Sequence, residues 1–322
     1  MDRFFSSLRL QTFSEYQIIV VYDKSTDESL SKVKSNQAQF NCPFFIIEND
    51  YKDGLGHARD VALNSGLINT KYVLFLDPDD YVEPSFLEKL VSRADQSNAD
   101  ITICGFKRID ERINKVVSVD MCNNKAGLSN TKDLSESIYY NSSVWNKLYK
   151  RELIKNLKFS NIKRAEDVLF NIGAFSKSQS VYLINEPLYN YMIHDGSLST
   201  DFKYSHLKSI LEYFSENLDI MNINKDFSYG VFFIRFALGS LMRIYRTNKK
   251  DYKKSQKLIR LFLSSNYGVS KIRTLAFKKS IKFGINGFFV WLYKISYQLR
   301  IQRISLWFIG FVFKYGKKEI RW

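Results

Sequence analysis

Short apolar runs alternate with polar, helix-compatible stretches through the first part of the chain, and this alternation predicts the architecture. Residues 16–22 (Tyr-Gln-Ile-Ile-Val-Val-Tyr) form an apolar, β-branched run, so a strand is expected there. Asp23-Lys24-Ser25-Thr26-Asp27 follows with capping side chains for a helix reaching about residue 38. Residues 44–47 predict a second strand, 54–65 a second helix and 72–76 a third strand. Such a rhythm implies an α/β fold with a mostly parallel sheet and flanking crossover helices. Residues 100–106 read as a further strand, and 107–120 carry the charge alternation of a hairpin or edge pair. Segments 130–140 and 164–178 look helical, the second with Val168, Leu169, Ile172 and Phe175 on one face, while 181–184 and 188–192 look strand-like. From about Tyr204 the spacing of Phe232, Phe236, Leu238, Leu241, Met242 and Tyr245 predicts helix. A boundary near residue 200 is expected, separating a domain of residues 1–200 from a helical region of 201–322.

Composition adds a core and a charge asymmetry. The 322 residues are 45% hydrophobic, and 26 Phe and 20 Tyr against 4 Pro and 14 Gly favour helices and aromatic packing over loops. Cys42, Cys104 and Cys122 have no CxxC spacing, which argues for a reducing compartment without a disulfide framework or a zinc site. Residues 1–200 hold 24 Lys and Arg against 26 Asp and Glu, whereas 201–322 hold 24 against 7. The second region should therefore seek a polyanion. The start, Met1-Asp2-Arg3-Phe4-Phe5, lacks the apolar stretch of a secretory signal, so a cytoplasmic location is expected.

The windows 283–293 and 304–313 are apolar but too short for a spanning helix, which needs ~20 residues. Phe288, Phe289, Trp291, Leu292, Trp307, Phe308 and Phe311, broken by Lys and Arg at helical spacing, fit helices lying on an anionic membrane surface. An ordinary helical subdomain with a solvated basic face is the alternative. No nucleic acid partner is expected, because base-stacking proteins place basic and aromatic residues on a groove or sheet.

The candidate chemistry gathers where the apolar run 72–76 delivers Asp77, Asp79 and Asp80 to a strand end. Ligands of open α/β sheets collect at such ends, and hard cations such as Mn²⁺ or Mg²⁺ take carboxylate and phosphate oxygens together. The cluster thus suggests a metal that grips a nucleoside diphosphate. An acidic turn capping the helix that begins near Pro84 is the plainer reading. Glu166-Asp167 at a helix start likewise satisfies the helix dipole with no further role.

Taken in order, the motifs resemble glycosyltransferase family 2, inverting nucleotide-sugar transferases with the GT-A fold, over about residues 3–200. Val20-Val21-Tyr22-Asp23-Lys24-Ser25-Thr26-Asp27 is similar to the family's Val-Asp-Asp-Gly-Ser-Thr-Asp turn, and Gly54-Leu55-Gly56-His57-Ala58-Arg59-Asp60 to its Gly-x-x-x-Ala-Arg-Asn helix start. The stretch Phe75-Leu76-Asp77-Pro78-Asp79-Asp80 resembles Phe-Leu-Asp-x-Asp-Asp. Val144-Trp145-Asn146-Lys147-Leu148-Tyr149-Lys150 resembles a block of bacterial capsule and cell-wall polysaccharide transferases, as Glu166-Asp167-Val168-Leu169-Phe170 does their Glu-Asp-x-x-Phe.

The resemblance implies transfer of a sugar from a nucleoside diphosphate donor, UDP-linked, to a glycan or lipid-linked acceptor at the inner membrane face. It implies Mn²⁺ or Mg²⁺ on Asp77, Asp79 and Asp80 with His194 as a further ligand, and Asp167 as base with Glu166 as neighbour or substitute. Asp23 and Arg59 are implied on the nucleotide, with Trp145 and Asn146 on the sugar or acceptor side. Homo-oligomer formation is left open.

Three departures stand beside the resemblance. The family's opening strand has no counterpart, and Leu10-Gln11-Thr12-Phe13 is similar to the turn after the helix that follows that strand. A central strand is therefore expected to be missing, with unpaired ladder groups at roughly 1–3 kcal/mol each. Tyr22 and Lys24 replace a usual Asp and Gly. A non-catalytic relative that binds a partner transferase or glycan is the competing expectation.

Overall fold

The computed structural model describes residues 1–50, 54–121, 127–130, 143–159, 162, 166–194, 202–217 and 248–266, with single positions and short stretches between 236 and 245 and between 291 and 299. Two compact units divide the chain, one of Met1–Lys132 with Ser142–Ser197 and one of the remaining residues.

The first unit begins with α1 (Asp2–Arg9), β1 (Ile18–Asp23), α2 (Ser29–Gln37), β2 (Phe44–Asn49) and α3 (Leu55–Leu63). It continues with β3 (Tyr72–Leu74), β4 (Tyr81–Val82), α4 (Phe86–Ser97), β5 (Ile101–Asp110), β6 (Lys115–Asp120) and β7 (Gly127–Asn130). After these come β8 (Lys147–Lys150), α5 (Arg151–Ile154), α6 (Glu166–Lys177) and β9 (Ser180–Ile193). The strand–helix alternation expected up to residue 106 is present.

The expected mostly parallel sheet is not. Among the described residues β1 and β2 pair in parallel with each other alone, while the larger sheet runs β3-β8-β5-β9-β4 with β6 on β5 and β7 on β9. Only β5 and β9 pair in parallel there, and every other ladder is antiparallel. A strand's apolar run reports its burial but not its neighbour's direction, which explains the miss.

β5 serves two partners on one edge, with Ile101–Ile103 facing β8 and Phe106–Asp110 facing β6. The changeover falls at Gly105, where an added Cβ would lie 2.6 Å from the Asp120 carbonyl oxygen. The two strand-like runs at 181–184 and 188–192 are one strand. β9 passes through Pro187 because its register against β5 shifts around Gly105 and Pro187, so the proline costs a bulge rather than the strand.

One apolar cluster sits under both sheets. Phe5 and Leu8 of α1, Phe86 and Leu90 of α4, Cys104 and Phe106 of β5, Trp145, and Leu188 and Tyr189 of β9 are buried in it. Ile18 and Val20 of β1 and Phe44 and Ile46 of β2 pack against it half-buried. Among the described residues neither Cys42 nor Cys104 is in a disulfide.

In the second unit, α7 (Tyr204–Asn217) buries Leu207, Ile210, Leu211 and Phe214, an i, i+3, i+4, i+7 stripe. A short 3₁₀ turn, Lys249–Asp251, leads into α8 (Tyr252–Asn266), which buries Ser255, Ile259 and Phe262. No helix among the described residues is long and apolar enough to cross a membrane. Residues 131–140 of the expected 130–140 helix lie outside the described residues, with Asn130 ending β7. The window 304–313 lies outside them entirely, and so does 283–293 apart from Trp291 and Leu292.

Candidate active site

The turn after β3 sends its three carboxylates in three directions. Phe75 anchors the turn from below, meeting the rings of Phe159 and Phe170 edge-on at 5.2 and 5.4 Å. Asp77 turns toward α3, where its Oδ1 accepts a hydrogen bond from Arg59 Nη2 at 2.9 Å. Asp79 turns outward, its side chain 70% exposed, with Oδ2 3.7 Å from His194 Nε2 at the end of β9. Asp80 turns inward and is buried.

That inward turn corrects the expectation that Asp80 joins Asp77 and Asp79 around a cation. Its Oδ2 accepts from the Tyr189 hydroxyl at 2.6 Å and its Oδ1 from the Met192 N–H at 2.8 Å. Burial pushes its pKa up to about 7, against the opposing pull of those two bonds. The cause of its direction is β4, whose Tyr81 and Val82 pair with Asn190 and Tyr189, so the residue just before β4 faces β9.

Arg59 forms the centre of the site. Its Nη1 donates to Asp167 Oδ1 and lies 3.8 Å from Glu166 Oε1, while Nη2 holds Asp77. The side chain is 10% exposed and its guanidinium lies over the Phe159 ring at 5.4 Å. Burial opposes its charge, but Asp167, Asp77 and Glu166 outweigh that and raise its pKa. The neighbouring Asp60 fixes the platform, accepting the Phe159 N–H at 2.8 Å, and Phe159 stacks on Phe170 at 4.0 Å. Arg59 was expected to grip a diphosphate directly. It is instead occupied by carboxylates, since a buried guanidinium needs paired oxygens on its fork.

Asp167, in the first turn of α6, is held at both oxygens. Oδ1 takes Arg59, and Oδ2 accepts the Val144 N–H at 3.2 Å. Burial raises its pKa to about 6, Arg59 pulling it down while Glu166 and Asp77 push it up. The second oxygen of Glu166, Oε2, is buried with no hydrogen-bond partner among the described residues. A carboxylate tuned near neutrality beside a group that can hold a cation suits general-base chemistry.

The remaining expected residues scatter. Asp23 closes β1, accepting from Asn49 Nδ2 at 2.7 Å at the matching end of β2. Trp145 is buried, stacked on Tyr189 at 4.2 Å and Tyr191 at 5.6 Å. Asn146 is fully buried and donates to the Cys104 carbonyl at 2.7 Å. Both are therefore packed into the core beside the site. Sequence reasoning missed Tyr189, Phe159, Lys147 and Asn171, and only the polar Lys147 inside the run Trp145–Tyr149 offered a signal.

A cation fits the arrangement through few protein ligands. Among the described residues no three His, Cys, Asp or Glu side chains are grouped to hold one. The exposed Asp79 carboxylate with His194 beside it is the small donor set a divalent ion uses when phosphate oxygens complete its shell.

The fold is that of GT-A glycosyltransferases, to whose solved structures the chain superposes. The crystal structure of residues 1–349 of Staphylococcus aureus TarS in complex with UDP-GlcNAc superposes with a TM-score of 0.59 at 17% identity, covering 99% of this chain and 89% of that one. Residues 1–158, just under half of the chain, match the description Glycosyl transferase family 2. Among its relatives, glycosyltransferase GlyA of Streptococcus pneumoniae is 27% identical over 67% of this chain and 32% of its own length. The uncharacterized glycosyltransferase EpsJ of Bacillus subtilis is 30% identical over 60% of this chain and 57% of its own. The chain thus spans between about a third and a little over half of the length of these relatives.

Proposed function

We propose that this chain is a metal-dependent, inverting glycosyltransferase that moves a sugar from a UDP-linked donor to a hydroxyl of a surface polysaccharide or a lipid-linked glycan. The observation that carries the reading is Asp167, a carboxylate raised to about 6 and tied through Arg59 to Asp77 in the turn where a nucleotide diphosphate would lie. The family 2 domain and the UDP-GlcNAc complex of TarS support a nucleotide sugar as donor.

In this reaction Asp167 takes the proton of the acceptor hydroxyl while that oxygen bonds to the anomeric carbon from the face opposite the leaving group. The bond from the anomeric carbon to the diphosphate oxygen breaks, and UDP departs with its electron pair. Asp79 and His194 would hold Mn²⁺ or Mg²⁺, which would supply Lewis-acid neutralisation of the leaving diphosphate. Arg59 keeps Asp77 and Asp167 at fixed separation, Asp23 faces the nucleoside, and Asp80 holds the turn to β9. At pH 7 a carboxylate with a pKa near 6 is mostly ionised, as a base must be.

The second unit brings the enzyme to its acceptor at the cytoplasmic face of the membrane. Opposite the buried Ser255, Ile259 and Phe262, α8 exposes Lys253, Lys257 and Arg260, a stripe suited to anionic headgroups.

Calorimetry with UDP and Mn²⁺ tests the reading. Binding is expected for the wild type and for Asp167→Asn, and is lost in Asp79→Ala, while transfer from UDP-GlcNAc is lost in both variants. A wild type that binds no UDP in the presence of Mn²⁺ refutes it.

A further inference from the structure

Asp167 is held by a hydrogen bond whose donor is itself held from behind. The Val144 N–H that donates to Asp167 Oδ2 shares one peptide plane with the Ser143 carbonyl. On the far side of that plane the Ser143 oxygen accepts two bonds, one from the Lys147 ammonium and one from Asn171 Nδ2 at 3.2 Å. Lys147 is fully buried and Asn171 nearly so. The Tyr149 hydroxyl donates to Asn171 Oδ1 at 2.7 Å, which fixes Nδ2 as the end that meets Ser143.

Burying an ammonium is costly, and a carbonyl at a turn is satisfied by any neutral donor. The Lys147 ammonium, which also donates to Asn146 Oδ1 at 3.0 Å, is therefore a stronger donor than that carbonyl needs. A peptide unit has a dipole of about 3.5 D, and a positive group at its carbonyl end strengthens the N–H at the other end through the hydrogen-bond chain.

We propose that Lys147 and Asn171 are positioning residues for Asp167, acting through the Ser143–Val144 peptide, whose polarised N–H presents a fixed partial positive charge to the carboxylate. Arg59 grips one oxygen from α3 and this relay grips the other from the turn before β8, so the carboxylate keeps one orientation toward the acceptor. The inference rests on the reading of Asp167 as the base. Among the described residues the charged and titratable groups that face Asp167 are Arg59 from α3, Asp77 from the turn after β3, Glu166 from its own helix and Tyr149 from β8, with Lys147 joined to it through the peptide.

Carboxyl ¹³C NMR of the full chain labelled at aspartate tests this without any substrate, with the Asp167 resonance identified by its absence in Asp167→Asn. Lys147→Met keeps the side-chain length and removes the charge, and Asn171→Ala removes the second donor. In each, the Asp167 titration midpoint is expected to move upward by about half a pH unit or more. The acid limb of kcat for UDP release from UDP-GlcNAc should move with it while KM stays unchanged. A variant with a native spectrum and an unmoved midpoint overturns the relay and leaves Lys147 an ordinary buried strut. If Lys147→Met does not fold, Asn171→Ala decides alone. Failure of the wild type to bind UDP in the presence of Mn²⁺ sinks the proposed function, whereas the titration comparison still decides the relay.

Discussion

Arg59 bonds Asp167 and Asp77 at the same time, joining the start of α6 to the turn after β3 across 108 and 18 residues of sequence. Replacing Arg59 with Met leaves three carboxyl groups facing one another without a cation. Removing one partner of a buried pair costs about 3–5 kcal/mol. Arg59→Met is therefore expected to lower the midpoint of urea unfolding sharply. Arg59→Lys, which cannot bridge two carboxylates, recovers only part of the loss.

The pH dependence of turnover follows from Asp167. Its carboxyl, raised to about 6, must be ionised to accept a proton, so kcat should fall as pH drops through 6 and level off above it. Stability has the opposite sign. The folded state holds that proton more tightly than the unfolded chain, so this group's contribution weakens as pH rises from about 4 to about 6. Asp167→Asn should abolish transfer and remove that slope from the stability profile, which urea titrations at several pH values would detect.

The bond between the Tyr189 hydroxyl and Asp80 allows a test of which carboxylate would serve the proposed cation. Tyr189→Phe strips a donor from a buried carboxylate and is expected to cost roughly 1–3 kcal/mol. Asp80→Asn can still accept from Met192 and donate to the tyrosine oxygen, so it should fold and keep Mn²⁺-dependent UDP binding. Loss of Mn²⁺ binding in Asp80→Asn with an unchanged unfolding midpoint would instead make Asp80 a ligand.

Gly105 is expected to resist substitution for a reason unrelated to chemistry. Gly105→Ala drives a Cβ to 2.6 Å from the Asp120 carbonyl, and overpacking of this kind costs about 1–3 kcal/mol. Hydrogen exchange should quicken along β6 while UDP affinity stays unchanged.

Co-sedimentation with vesicles tests the basic stripe of α8. Lys253→Glu with Lys257→Glu should weaken association with phosphatidylglycerol vesicles and leave the weak association with neutral vesicles unaltered, each lysine contributing about 1 kcal/mol near an anionic surface. Equal sedimentation of both proteins would remove α8 from the contact.

How much was legible in the chain depended on range. The β-branched run at Ile18–Val21 and the apolar run at Tyr72–Leu74 announced strands because their periodicity is local. The antiparallel placement of β8 between β3 and β5 was not announced, since pairing direction resides in no single segment. Pro187 suggested a break, and only the shifted register against Gly105 shows how one strand accommodates it. The Asp77–Asp80 cluster was visible as composition. Its three directions were not, because Asp80 is turned by a tyrosine 109 residues away and Asp77 by an arginine that also answers to α6.

Arg59 is one cation among three carboxyl groups, and that imbalance bears on the order of events. An empty site with surplus negative charge repels a bare diphosphate and attracts a divalent ion, with opposite signs at the same few ångströms. The donor should therefore arrive already carrying its metal, as one complex in one step. On this account the resting enzyme discriminates against free UDP, and product leaves most readily when its ion leaves with it.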